Sequence, residues 1–314
     1  MLRFLLNRFG TMLLTMLVIS MLVFFIAEVV PVDPARNALG RYAPQHKVDE
    51  LREKMGLNRP VLVRYVDWIS NVLRGDFGES IHFRRPVRDL LAVRLQRSLA
   101  LAALGFAFMI PTGLALGCIA AITEGKLLDR IISVISSVFV SIPYFAGGIF
   151  MIVIFALWLD WLPGVSIPDP DAGFLEFSTK LILPILTLSL DGVGYLARFT
   201  RASMVEVLDS DYVRTAVLKG IPRIKVIWRH ALRNALIAPF TAIMLYISWL
   251  IGGVAVVEVL FNYPGLGMLL LESAKRNDII LLEAGMLVMT FVAVSSQVIG
   301  DIGIYFMNPR IRFE

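Results

Sequence analysis

The stretch DYVRTAVLKGIPRIKVIWRHALRNAL, Asp211 to Leu236, sets Arg214, Lys219, Arg223, Lys225, Arg229 and Arg233 between two long apolar runs. Its punctuation predicts two short helices. Asp209, Ser210 or Asp211 can cap a first helix running to Lys219. Gly220 supplies the left-handed residue that a helix C-terminus often needs, and Pro222 suits the first turn of a second helix. In that second helix Ile224, Ile227, Trp228 and Ala231 are expected to form an apolar stripe, with Lys225, Arg229 and Arg233 as a basic stripe at four-residue spacing. Two uses of such a hairpin are open at this level. It can rest on an anionic lipid surface, or it can present a knob to a partner.

The surroundings of the block decide the fold class. The chain has 314 residues, 57% of them hydrophobic and 18% charged, with a mean hydropathy of +0.75. Soluble domains are less apolar and more charged than this. The apolar residues are also clustered: Phe9–Ala27, Ser98–Thr123, Ile131–Leu159 and Asn234–Val257 contain no Asp, Glu, Lys or Arg. A bilayer core about 30 Å thick requires roughly 20 apolar residues per helix, so all four qualify. Leu181–Ala197 and Ala284–Gly300 are shorter, the first interrupted by Asp191 and the second ended by Asp301. The prediction is an all-α integral membrane protein with six transmembrane helices. A helical outer region lies between spans 1 and 2, and the basic hairpin joins spans 4 and 5. The divisions expected are 1–30 for the N-terminus and first span, 31–97 for the outer region, 98–308 for the core with its loop at about 201–234, and 309–314 for the tail.

Charge gives the orientation. With the N-terminus inside, the inner segments carry 14 Lys and Arg and the two short outer loops carry 3, as the positive-inside rule requires. The 13 in Pro31–Arg97 do not count against it, because loops this long cross largely regardless of charge. Both termini are therefore expected in the cytoplasm. The net charge of +5 reflects topology, and nucleic acid is not an expected partner. The opening MLRFLLNRFGTMLLTM has a basic end and an apolar run but no small-residue cleavage pattern, so it reads as an uncleaved first span. Cys118 is the single cysteine, which removes disulfide and Cys–metal readings.

Within the outer region, Val48, Leu51 and Met55 share a helix face that Gly56 stops. Pro60 opens another helix, with Leu62, Tyr65, Val66, Ile69, Val72 and Leu73 on one side, and RGDFGES (Arg74–Ser80) ends it at glycines. A small cap on the outer membrane face and a docking surface for an external partner both fit. In the third span, Ser141, Pro143 and Tyr144 mark a helix break of the kind that can line a pathway. Trp158 and Trp161 flank LDWLPG (Leu159–Gly164) as interfacial anchors. Asp191 is an acid well inside a span, where a cavity or a neighbouring hydroxyl must satisfy it.

Several chemistries have no residues to carry them. The Gly125-Lys126 pair is followed by Leu127 and lacks the preceding glycine of a phosphate loop. His46, His82 and His230 are scattered and no HExxH occurs, so no metal site is expected. Asp191 and Asp301 are the only pair to suggest an intramembrane aspartyl protease, and the VIGD setting of Asp301 lacks that glycine pattern. A non-catalytic chain is the expectation, with transport or a structural role left for six spans.

The basic block also resembles the EAA loop of ABC importer permeases, in the form found in the dipeptide, oligopeptide and nickel subfamily. Arg198–Leu208 (RFTRASMVEVL), Asp211–Gly220 (DYVRTAVLKG) and Arg229–Ala235 (RHALRNA) carry the resemblance. It extends to MLRFLLNRFG, Pro31-Val32-Asp33-Pro34, RGDFGES, LDWLPG, FNYPGLG (Phe261–Gly267) and NPRIRF (Asn308–Phe313). Val217 stands where the subfamily often has a basic residue, and Pro239 comes one residue later than its usual proline.

This resemblance implies a subunit that binds no cofactor itself. It pairs with a second, similar permease and with two ABC ATPase subunits that hold ATP and Mg, and it receives solute from an extracytoplasmic binding protein in the bacterial inner membrane. It implies coupling to the ATPases through Asp211, Tyr212, Arg214, Thr215, Ala216, Lys219 and Gly220. Ser141, Pro143, Tyr144 and Asp191 are the candidates for the translocation path. An ion-coupled secondary transporter and a membrane scaffold are the alternatives.

Overall fold

The computed structural model describes residues 2–29, 33–40, 42–167 and 174–307. Among them the chain is helical throughout, with one isolated β-bridge between Glu79 and Pro86 and no strand. Pro31, Val32 and the tail from Asn308 lie outside the described residues. Four helices are long and apolar enough to cross a membrane: Leu6–Val29, Val87–Ile122, Ser178–Leu208 and Ile279–Tyr305. Two bent helix pairs bring the number to six if each pair is a single span. The chain divides into two compact units, Met1–Ser98 with Pro264–Ser295, and Leu99–Tyr263 with Ser296–Glu314.

The first unit is built on α1 (Leu2–Val29), α2 (Pro34–Leu39), α3 (Gln45–Lys54) and α4 (Val61–Leu73). The predicted stops hold. Gly56 takes φ +67° after α3, and Gly75 and Gly78 take +84° and +77° after α4. Those conformations cost a side-chain-bearing residue energy that glycine does not spend. Asp33 caps α2 by accepting the Ala35 N–H at 3.1 Å, and it accepts two hydrogen bonds from Arg52 of α3. Phe24 of α1 and Tyr65 and Trp68 of α4 form one ring cluster, and the Ser20 and Tyr65 hydroxyls are 2.8 Å apart. The apolar side expected for α4 is corrected here. Tyr65 is buried, whereas Leu62, Val66 and Leu73 are exposed, because α4 meets α1 through its aromatic residues rather than through the aliphatic row.

Further along, Asp278 holds this unit together. It accepts the Ser80 hydroxyl at 2.5 Å and the His82 N–H at 3.0 Å, and its other oxygen caps Leu281 N at the start of α14 (Ile279–Met307). Val87 and Leu91, at the start of α5 (Val87–Ile122), pack with Leu266 and Leu269 of α13 (Leu266–Lys275) and with Leu281 and Ala284.

In the second unit α8 (Phe174–Leu208) is the most enclosed helix, with 61% of its apolar window buried against 17–33% for the other long spans. Small residues let its neighbours close in. A Cβ at Gly117 of α5 would lie 2.6 Å from the Ala197 carbonyl oxygen, and one at Gly194 of α8 would lie 2.5 Å from the Ser136 carbonyl of α6 (Leu127–Ser141). In an apolar solvent such backbone approach drives helix association. The helix expected over Leu181–Ala197 is 35 residues long, because Lys180, Arg198 and Arg201 continue it instead of ending it. The break in the third span is sharper than a kink. α6 and the segment Tyr144–Trp158 meet at 107°, with Ile142 extended and Pro143 capping α7 (Tyr144–Met151), whose last turns widen to a π-helix at Ile152–Trp158. Trp158 and Trp161 are exposed, as interfacial anchors should be.

Candidate functional site

The basic block folds as a hairpin with its own core. α9 (Asp211–Leu218) starts after Ser210, whose backbone is extended at the cap position; its hydroxyl turns back to the Val207 carbonyl instead of capping α9. Gly220 adopts φ +75°, and its N–H donates to the Val217 carbonyl at 2.9 Å. Pro222 then precedes α10 (Arg223–Lys225), a π-helical turn at Val226–Ala231, and α11 (Leu232–Ala235). Val213, Ala216, Val226, Ile227, Ala231 and Ala235 pack together with Ala121 of α5 and Met204 of α8. Ser203 of α8 donates to the Ala235 carbonyl at 2.8 Å, and Asn234 donates to the Tyr212 hydroxyl at 3.0 Å, closing the hairpin's two arms.

This core divides the predicted residues. Asp211, Tyr212, Arg214, Thr215, Lys219 and Gly220 are exposed, while Ala216 is 8% exposed and faces inward. The stripe Ile224, Ile227, Trp228 and Ala231 does not hold as one face. Ile227 and Ala231 are buried, but Ile224 and Trp228 are about two-thirds exposed. The π-helical turn explains this, since its wider winding rotates successive residues away from an α-helical stripe. Lys225, Arg229 and Arg233 are all exposed, as expected. The outer surface of the hairpin therefore mixes basic residues with Val217, Leu218, Ile224 and Trp228.

The pathway candidates are only partly brought together. Asp191 is half-buried, and its Oδ1 accepts the Tyr246 hydroxyl of α12 (Ile237–Leu260) at 2.5 Å and the Gly192 N–H at 2.8 Å. Tyr144 and Tyr246 border the same apolar cluster of Leu188, Val254 and Val257. Ser141, in contrast, donates along its own helix to the Ser137 carbonyl at 2.8 Å. Tyr195 stacks on Tyr246 with centroids 6.2 Å apart, and it lines a 560 Å³ cavity with Ser133, Ser137, Arg198 and Arg201.

Sequence reasoning missed Tyr246, Tyr195 and Asp129. Asp129 is 4% exposed in the first turn of α6. It accepts a two-pronged pair from Arg201 at 2.6 and 2.9 Å, the Gly125 N–H at 3.0 Å and the Ser133 hydroxyl at 3.3 Å. Arg201 was visible in the RFTR run, but its partner lies 72 residues away and no local pattern announces it.

Comparison with known proteins identifies this architecture. The family described as "Binding-protein-dependent transport system inner membrane component" matches residues 113–313, and its N-terminal counterpart matches residues 1–102. The chain belongs to this family of inner-membrane permeases. It is 34% identical over 310 residues to the probable peptide ABC transporter permease protein y4tP of Sinorhizobium fredii, covering 99% of both chains. It is 36% identical over 314 residues to the glutathione transport system permease protein GsiC of Escherichia coli K12, covering all of both. An inward-facing structure of the MetNI methionine ABC transporter matches 70% of this chain and 96% of its own at TM-score 0.54 and 19% identity, a likeness of fold. This permease is thus an inner-membrane component of an ABC importer, and its relatives carry the name of permease proteins.

Proposed function

We propose that this permease forms half of the translocation pathway of an ATP-driven importer for short peptides or a related small solute, and that the hairpin Asp211–Ala235 is where ATPase motion enters it. The observation that carries the reading is the hairpin's construction. Its core is fixed to α5 and α8, while its tip exposes Thr215, Val217, Leu218, Lys219 and Gly220 with no described contact covering them. A knob with an apolar and basic surface suits a lipid surface and a protein cleft alike, and the chain's membership of the binding-protein-dependent permease family favours the cleft. In this reading the chain crosses the membrane six times, α6 with the segment Tyr144–Trp158 forming one span and α12 another, and both termini are cytoplasmic. A second permease completes the pathway, two ABC ATPase subunits hold ATP and Mg, and an extracytoplasmic binding protein delivers the solute. The names of the relatives, peptide and glutathione permeases, support a peptide-type solute.

Asp191, Tyr246, Tyr144 and Tyr195 are the residues we assign to the pathway. The Asp191–Tyr246 bond ties α8 to α12 and is in place to break as those helices separate. Reconstitution tests the whole reading. Proteoliposomes containing this chain, its sister permease and the two ATPases should take up peptide only with ATP and loaded binding protein. Uptake by this chain alone, driven by an ion gradient, would show instead a self-contained secondary transporter.

A further inference from the structure

The aliphatic row that α4 turns away from its own core has a direction, and the contacts of the helix's other sides supply it. At about 100° per residue, Leu62, Val66, Ile69 and Leu73 fall within an arc of about 60°. Leu62, Val66 and Leu73 are 68%, 57% and 81% exposed, and a contiguous row of this kind marks an interaction surface where scattered apolar residues do not. Arg64, Asp67 and Asn71 share a second arc of similar width on the far side of the helix, and Tyr65, Trp68 and Val72 fill one flank between the two. That flank is the protein contact. Tyr65 and Trp68 both meet Phe24 of α1, with centroids 5.5 and 5.4 Å from its ring, and the Tyr65 hydroxyl reaches Ser20. Glu28, about 12 Å further along α1 than Ser20, pairs with Arg64 of the polar arc at 2.8 Å. The polar arc therefore points toward the Val29 end of α1, and the aliphatic row opposite it points toward the middle of that span. A cavity of about 780 Å³ agrees: Arg64, Asp67 and Asn71 stand in its wall with Asp33, Arg52 and Arg59, and none of the four aliphatic residues does.

We propose that α4 lies in the bilayer interface at the Val29 end of α1, its row Leu62, Val66, Ile69 and Leu73 buried among phospholipid acyl chains and its polar arc turned to water. An amphipathic helix in this position sinks its apolar face about 5–10 Å below the headgroups, and α4 is at that depth because it packs beside the last turns of an apolar span and not beyond them. Lipid is the occupant because the row continues a surface that already faces it. Leu22 and Ile26 of α1 are exposed, and Phe25, exposed as well, stacks on Tyr65 with centroids 6.1 Å apart. A soluble partner arriving from the water meets the polar arc, and the row is turned away from it. The inference needs α1 to be a span and uses nothing of the coupling hairpin, since α1 and α4 both belong to the first unit.

Site-directed spin labelling tests it. In a Cys118→Ala background, Leu62→Cys, Val66→Cys, Leu73→Cys, Asp67→Cys and Asn71→Cys are labelled in the complete transporter and placed in nanodiscs of phosphatidylethanolamine and phosphatidylglycerol. Collision with oxygen, which concentrates among acyl chains, is compared with collision with a water-soluble nickel chelate. The oxygen-to-nickel ratio should be several-fold higher at the three aliphatic positions than at Asp67 and Asn71. An equal or reversed ratio places the row in water and overturns the proposal. Low collision with both reagents overturns it too, because a protein surface then covers the row, whether a second permease or an external partner. The unsubstituted transporter gives a check that no cysteine variant can spoil. A lipid-soluble diazirine should label α4 on photolysis along with α1, and label in α1 without label in α4 refutes the burial of the row in lipid.

Discussion

Substitution at Gly220 separates two reasons for having glycine at the tip of the hairpin. Its φ of +75° is a conformation that side-chain-bearing residues avoid, but a Cβ built there meets no atom within 4 Å. Alanine therefore adds backbone strain of roughly 1–2 kcal/mol and no clash. Proline is different in kind. Its ring holds φ near about −65°, it cannot follow the native path, and it removes the N–H that donates to Val217. That hydrogen bond alone is worth about 1 kcal/mol, and the direction in which the chain leaves the tip toward α10 must change as well. The assay is peptide taken up per ATP hydrolysed in proteoliposomes containing the complete transporter. Gly220→Ala should stay within roughly two-fold of the wild type, because its strain is small against a hairpin core of several buried side chains. Gly220→Pro should insert and assemble yet lose roughly ten-fold or more of that ratio, since a displaced knob no longer transmits motion. A normal ratio for Gly220→Pro would refute the reasoning. Equal damage from alanine would show that the tip tolerates no Cβ, and that proline's fixed φ and missing N–H are not what matters.

Three further outcomes follow from the same geometry. Breaking the Arg201–Asp129 pair should be asymmetric: Arg201→Ala strands a carboxylate whose side chain is 6% exposed and should cost about 2–3 kcal/mol, whereas Asp129→Ala leaves a 31% exposed guanidinium and should cost about 1–2 kcal/mol, both below the full value for a buried pair. Chemical unfolding in detergent, with the double variant closing the cycle, measures both. In a Cys118→Ala background, a cysteine at Val217 or Leu218 should cross-link to a partner ATPase while one at Ala216 should not, because the first two are 52% and 81% exposed and Ala216 is 8% exposed. The Asp33 carboxyl is opposed by burial but held below its usual value of 3.8 by the Arg52 hydrogen bond and charge and by the Arg36 and Ala35 N–H groups. Its contribution is therefore present above the ordinary carboxylate range and lost as pH falls through the lowered value, so the protection factors of the α2 amides, exchange rates divided out for the intrinsic pH dependence, should fall below about pH 4 and stay level above it.

Much of the fold was legible because glycine, proline and apolar runs act locally. Gly56, Gly75, Gly78 and Gly220 all take the positive φ that their positions between helices suggest. Helix ends set by charge were less legible. Arg198 and Arg201 read as the end of a span, yet α8 runs through both to Leu208, since a helix continues wherever its charges find water or a partner. The bend at Pro143 shows the reverse limit. Sequence announces a break, but its 107° depends on what α7 packs against. Periodicity on α4 aligned Leu62, Val66 and Leu73 correctly on the helix without revealing that the row faces away from its own unit's core.

The candidate site divides along the same line between local and distant information. Motif resemblance located the hairpin and its glycine, but it could not say that Ala216 turns inward while Val217 turns out; the packing of α9 on the π-helical turn decides that. The Tyr246–Asp191 and Arg201–Asp129 pairs span 55 and 72 residues, and nothing in either neighbourhood hints at the other. Once seen, those pairs explain why the hairpin and the pathway candidates occur together. Met204 and Ser203 fasten the hairpin to the C-terminal end of α8, between three and four turns beyond Asp191 on the same helix. Gly194 brings that helix against the α6 backbone, and the Asp129 pair locks α6 to it a second time. In the proposed coupling, α8 is the rod that carries a displacement of the hairpin, attached to α6 at Gly194 and again through the Asp129 pair. In that same proposal, the bond that a tilt of α8 loads is the hydrogen bond from Tyr246 on α12 to Asp191 in the middle of α8.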